Sequence, residues 1–131
     1  MQPVNPAGWP RPSGYSNGTT AEGRMVFVAG QIGWTPEGRF ETDDFAGQVR
    51  QTLLNTRAVL EAAGAVPAQI VRMTWYVTDK REYTENLREV GQCYREILGP
   101  VYPAMALVQV SALLEDRAKV EIETTAVVPA G

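Results

Sequence analysis

From Phe45 onward, side chains suited to burial recur at steps of three and four. Phe45, Val49, Leu53, Thr56, Leu60 and Ala63 fall on one face of a helix. Asp43 or Asp44 can cap its start, and Gly64 stands where a helix stops. A second stripe, Tyr83, Leu87, Val90, Tyr94 and Ile97, predicts another amphipathic helix, ended by Gly99-Pro100. Elsewhere the pattern is that of strands. Met25 to Ile32 is a β-rich run between Gly23 and Gly33, and Ile70 to Thr78 places Val71, Met73, Trp75 and Val77 on one side. Ala104 to Ala112 and Ala118 to Val128 complete the set, with Tyr15-Ser16 as a short early strand before an Asn17-Gly18 turn. Residues 1–13 carry four prolines and read as an arm or loop, and Pro36-Glu37-Gly38 marks a turn. The order is β-β-α-β-α-β-β, an α+β chain read as one domain over residues 1–131, without repeats.

This order creates a packing problem. Two helices cover only one face of a sheet. Yet the strand after Pro103 is apolar on both faces: Ala104, Ala106, Val108 and Val110 alternate with Met105 and Leu107. A strand with one wet face alternates apolar with polar residues. The economical expectation is self-association, with sheet faces or edges packed between copies. Burial of Met105 and Leu107 would contribute about 1.5–3 kcal/mol each.

Composition narrows the chemistry. At 131 residues the chain can bury about two-thirds of the surface that it exposes unfolded. A net charge of -3 and a pI near 5.0 argue against a broad nucleic-acid footprint. The single cysteine, Cys93, excludes an intrachain disulfide and fits a reducing compartment. Its place beside the second helical stripe suits a small buried residue. No segment approaches ~20 consecutive apolar residues, so no membrane partner is expected. The absence of histidine matters more. It removes Ser-His-Asp and Cys-His pairs and His-bearing zinc sites. Acid–base work is left to carboxylates, tyrosines, lysines or water. The glycines at 30 and 33 follow a strand without opening a helix at nucleotide-binding spacing.

Three segments carry a resemblance. They are Phe27-Val28-Ala29-Gly30-Gln31-Ile32, Tyr102-Pro103-Ala104-Met105-Ala106-Leu107-Val108-Gln109-Val110, and Lys119-Val120-Glu121-Ile122-Glu123. Gln48 and Asn55 precede Leu60-Glu61-Ala62-Ala63-Gly64 in a matching helix pattern. Together, from about Tyr15 to Val128, the chain resembles the RidA family, also called YjgF/YER057c/UK114. The resemblance implies a chorismate-mutase-like α+β fold, a cytoplasmic homotrimer, and a small-molecule pocket between neighbouring subunits. It implies no cofactor and no metal. In the family's deaminating members, an enamine or its imine tautomer binds by its carboxylate to an arginine. Water adds to the imine carbon and ammonia leaves, as in a 2-iminobutanoate/2-iminopropanoate deaminase.

Carried over position by position, the resemblance makes Glu121 the catalytic residue that orients water, and puts Tyr15 in the cleft wall. Gly30-Gln31-Ile32 matches a Ser-Gly-Gln-Ile motif in which Ala29 replaces the serine. The family arginine is replaced by Met105, and Leu107 stands where many members have a cysteine. A helix asparagine of the family falls near Gly91. The substrate-contacting set is therefore Tyr15, Ala29, Gly30, Gln31, Trp34, Met105 and Leu107. Trp34 is included because it follows Gly33 at a strand end, where core packing explains it poorly.

Several functions fit. The first is a RidA-like enamine/imine deaminase-type hydrolase. The second is a non-catalytic small-molecule-binding or interaction protein that keeps the trimer and its pockets. Met105 weighs toward the second, since a thioether offers an apolar wall but no charge or strong donor. A ligand without an α-carboxylate, or one held by another cation such as Arg24, Arg72 or Arg117, would suit it. RNA cleavage, an older association of the family, fits poorly with an acidic chain lacking histidine. Glu121 and Glu123 share one strand face, and a solvated, salt-bridged face accounts for them equally. Gln109 suits either a ligand or a subunit contact. Tyr83, Tyr94 and Trp75 are expected in the core.

Overall fold

The computed structural model describes all 131 residues. The main sheet has four strands in the order β3-β6-β4-β5. They are β3 (Arg24–Ile32), β4 (Ile70–Val77), β5 (Ala104–Gln109) and β6 (Val120–Val128). β6 pairs antiparallel with both β3 and β4, while β4 and β5 run parallel. The parallel pair needs a crossover, and helices supply it.

α1 (Phe45–Ala62) forms as the apolar spacing requires. Phe45, Val49, Leu53, Thr56 and Leu60 are all buried. Asp44 is the cap: its Oδ2 accepts from the Gly47 N–H at 2.9 Å. Gly64 follows at φ +75°, a left-handed conformation that glycine adopts without a Cβ penalty. The second helical stripe is divided in two. α2 (Lys80–Glu85) and α3 (Leu87–Ile97) meet at Asn86, whose backbone leaves the helical range at ψ 22°. Its side-chain amide donates to the Glu82 carbonyl at 2.6 Å, an alternative to continuing the helical ladder.

The N-terminal segment also differs from the arm expected over residues 1–13. Gln2–Val4 forms β1, paired antiparallel with β2 (Gly18–Thr20). The early strand thus lies after Asn17, not at Tyr15-Ser16. Ser16 makes only an isolated bridge to Ala104. Asn5 is the reason for the new register. Its Oδ1 accepts from both the backbone and the side-chain N–H of Asn17, so that residue is held against the N-terminal strand.

Helices α1 and α3 pack on one face of the sheet, around a core that includes Val28, Met73, Trp75, Val77, Val120 and Ile122. The register decides which β5 residues join them. Met105 lies beside Met73 and Leu107 beside Trp75, so both point to the helices. Ala104, Ala106 and Val108 point the other way. The uncovered face of β5 is therefore its alanine and valine side. On the same open face Phe27 is 71% exposed and Met25 56%. No helix is long and apolar enough to cross a membrane.

Candidate functional site

The residues singled out from the sequence divide between two faces of the sheet. Met105 and Leu107 are half-buried on the helix side. Met105 borders a cavity of 130 Å³ whose walls include Trp75, Tyr83, Val90, Tyr94 and Tyr102. Gly91 and Arg95 from α3 complete this rim. The aromatic wall is rigidly built. Trp75 meets Tyr83 edge-on at 6.1 Å between centroids and Tyr94 at 6.4 Å. The Tyr94 hydroxyl donates to the Val101 carbonyl at 2.7 Å, and burial pushes this phenol well above its ordinary pKa.

Tyr15 stands next door. Ser16 fastens its segment to the start of β5: the Ser16 N–H donates to the Pro103 carbonyl at 3.0 Å and its hydroxyl to the Tyr102 carbonyl at 2.6 Å. The exposed Tyr15 lines a second hollow, of 400 Å³, that shares Gly14 and Tyr102 with the Met105 cavity. Tyr15 and Met105 are thus brought to one edge of the molecule.

Glu121, Ala29 and Gly30 belong to the opposite face. β3 carries one extra residue between Val28 and Gln31, where its pairing with β6 shifts. Such a bulge re-aims the strand locally. Gly30 sits in it beneath the Glu121 side chain, and a Cβ there would collide with that carboxylate. Only glycine lets the carboxylate lie so close to the backbone. Ala29 lines a shallow depression of 560 Å³ with Phe27, Arg72, Thr74, Glu123 and Thr125. Within this face the Tyr76 hydroxyl donates to Glu123 Oε1 at 2.7 Å. That hydrogen bond, with the nearby negative charge, raises the Tyr76 pKa. The Gln31 side-chain amide donates to the Ala29 carbonyl at 3.1 Å, within the bulge itself.

The remaining positions have structural partners. Trp34 packs on Phe40 at 5.9 Å, and the Arg117 guanidinium lies over the other ring of that pair at 5.5 Å. Gln109 Oε1 accepts from the Lys80 N–H at 2.9 Å and so caps α2 from the neighbouring strand. Gln48 is fully buried and fully engaged. Its amide donates to the Thr42 and Arg117 carbonyls, and its oxygen accepts from the Lys119 N–H. Asn55 donates to the Ile32 and Trp34 carbonyls at 3.1 and 2.7 Å. The helix Gln and Asn therefore fasten α1 to the ends of β6 and β3. Arg117, considered as a ligand cation, pairs with Asp43 instead, and Arg24 donates to the Ala63 carbonyl.

Sequence reasoning missed Arg95 and Tyr102. Gly91 and Arg95 are four apart, hence neighbours on one helix face, but nothing in that spacing marks an exposed arginine as part of a cavity wall.

A four-stranded mixed sheet backed by helices, with a small aromatic cavity at one strand edge and a carboxylate above a glycine bulge on the other face, defines a protein of the α+β class. Comparison with known proteins specifies it. A family model described as Endoribonuclease L-PSP matches residues 10–128. A RutC family protein of Pyrococcus horikoshii is 34% identical over 118 residues, covering 89% of this chain and 90% of that protein. A 2-iminobutanoate/2-iminopropanoate deaminase of Salmonella typhimurium is 33% identical over 105 residues, 80% of each chain. Among solved structures, the Rid family protein YyfB of Yersinia pestis superposes with a TM-score of 0.84 at 32% identity, covering 97% of this chain and 98% of that one. TdcF of Escherichia coli with bound serine gives 0.71 at 31% identity, covering 97% and 91%. The chain belongs to the endoribonuclease L-PSP family, the RidA (YjgF/YER057c/UK114) family that its motifs resemble. Relatives in it carry the name of reactive-intermediate or imine deaminase, so deaminase-type chemistry is a property of the family.

Proposed function

We propose that this protein is an imine deaminase-type hydrolase, cytoplasmic and trimeric, whose pockets lie between subunits. The observation that carries the proposal is the separation of the two half-sites. Met105 and Tyr15 lie at one edge on the helix side, while Glu121, Ala29 and Gly30 lie on the open face. One copy does not enclose a substrate between them. A second copy, presenting its open face to the β5 edge of the first, would bring a Glu121 opposite a Met105. The exposed Phe27, Met25 and Val108 are the apolar surface such an assembly would cover.

In that cleft the Glu121 carboxylate accepts a proton from water as the oxygen bonds to the imine carbon. The proton passes to nitrogen to give an amino alcohol, whose hydroxyl proton Glu121 then takes and delivers to nitrogen as the C–N bond breaks, so that ammonia leaves and a carbonyl product stays behind. The bulge at Gly30 holds the carboxylate close to the backbone without a side chain between them. The test has two parts. Light scattering should give the mass of three chains. Ammonia release from 2-iminopropanoate generated in situ should exceed the uncatalysed rate, and Glu121→Gln should lower it by ~10²-fold or more. A lone protomer, or release no faster than in buffer, refutes the reading.

Met105 supports a second reading, since it places an uncharged thioether where deaminating relatives use a carboxylate-binding cation. A protein that binds a ligand in the same cleft without turnover would release no ammonia yet show saturable binding.

A further inference from the structure

We infer that Arg95 is the anion-binding residue of this cleft, and that the cavity beside Met105 takes a compact carboxylate with an apolar body about the size of a benzene ring. The inference rests on that cavity being the substrate side of the cleft proposed above. Three observations point to the guest. First, the walls are aromatic and aliphatic, and at 130 Å³ the space is close to that of an apolar cavity of about 150 Å³ that takes benzene. Second, Trp75, a wall residue only 2% exposed, is packed against Tyr83 and Tyr94 and so presents a preformed apolar surface to a guest. Third, the one cation in the wall is uncommitted. The chain's four ion pairs use Arg50, Arg57, Arg117 and Lys119, and Arg95 makes no side-chain hydrogen bond.

Gly91 is what gives Arg95 access. The Arg95 Nη1 lies 3.3 Å from where a Cβ on Gly91 would stand, tighter than an ordinary contact. A longer side chain at 91 would occupy the path of the guanidinium across the helix. The cation thus arrives from α3, one turn after a glycine, and the strand position is free to be Met105. A guanidinium fork offers a carboxylate two parallel N–H bonds, a geometry that an ammonium does not reproduce.

Binding alone tests this, without reference to turnover, so it fails or succeeds independently of the ammonia assay. Phenylacetate and its neutral isostere phenylacetamide are titrated into the full-length protein and followed by NMR. The carboxylate should bind about 10-fold more tightly than the amide. Arg95→Gln should abolish that preference, and Gly91→Asn should reduce it. An unperturbed amide-proton spectrum for both variants establishes that the fold is intact. Equal affinity for the two probes in the native protein overturns the inference. So does an Arg95→Gln variant that keeps the carboxylate preference. A Gly91→Asn variant with native selectivity removes the role given to Gly91.

Discussion

The two faces of the sheet are built from the same strands and behave as different materials. Toward the helices, Met73, Trp75, Val77, Val120 and Ile122 are sealed, each at 2% exposure or less. Toward the open side, the alternate residues of those strands are Arg72, Thr74, Tyr76, Glu121 and Glu123, bordered by exposed Phe27 and Val108. One face holds the fold together. The other carries exposed polar groups, such as Tyr76 hydrogen-bonded to Glu123, among apolar side chains that nothing in the same chain covers. Family positions occur on both. Met105 is set into the packed face and Glu121 stands on the open one, so a residue's role here depends on strand parity as much as on its identity.

The largest test of this contrast is Ile122→Ala, at the centre of the packed face. It should cost about 2–5 kcal/mol in urea unfolding, because the neighbouring helices cannot collapse into the space. A loss under about 1 kcal/mol would mean that the helix side is less tightly packed than described. Gln48→Ala comes next, at about 1–3 kcal/mol, since the Lys119 N–H and two carbonyls lose their buried partner.

The tyrosines sharpen the comparison by pH. Tyr94 is held protonated by burial, with its folded pKa raised from an ordinary value of 10.0. The unfolded chain therefore releases this proton first as pH rises. Stability is level below about pH 9 and falls above about pH 10, by ~1.4 kcal/mol per pH unit for one such group. Denaturation midpoints measured from pH 8 to 11 should show the decline, and Tyr94→Phe should flatten it. Tyr76→Phe, on the open face, should flatten it far less. The smallest effect on protomer folding belongs to Phe27→Asp, within about 0.5 kcal/mol. Its consequence is for assembly: light scattering should show the mass falling toward one chain. An unchanged mass would take the open face out of the association.

Much of this architecture is legible in the residue pattern. The three- and four-residue steps from Phe45 to Leu60 place α1 within a residue or two, and the Met25–Ile32 run places β3. The split between α2 and α3 is harder to read, because Leu87 and Val90 continue the apolar stripe through Asn86 while a local side-chain bond turns the backbone there. β1 is less legible still. Gln2-Pro3-Val4 carries no strand period, and its pairing depends on Asn5 gripping Asn17, a long-range bond invisible to local pattern. At the site, Met105, Gly30 and Glu121 stand out by motif. Arg95 does not, since an exposed arginine on an amphipathic helix resembles any other solvated charge.

The order of letters alone determined most of the elements and the family, because periodicity and motif are local properties of the chain. Only the tertiary structure decided which way each β5 side chain points, since a strand's register is set by its neighbours and a shift of one residue exchanges its faces. It also decided that Gly91 and Arg95 of α3 border the aromatic cavity beside Met105. That juxtaposition exists only when α3 is laid against the edge of the sheet.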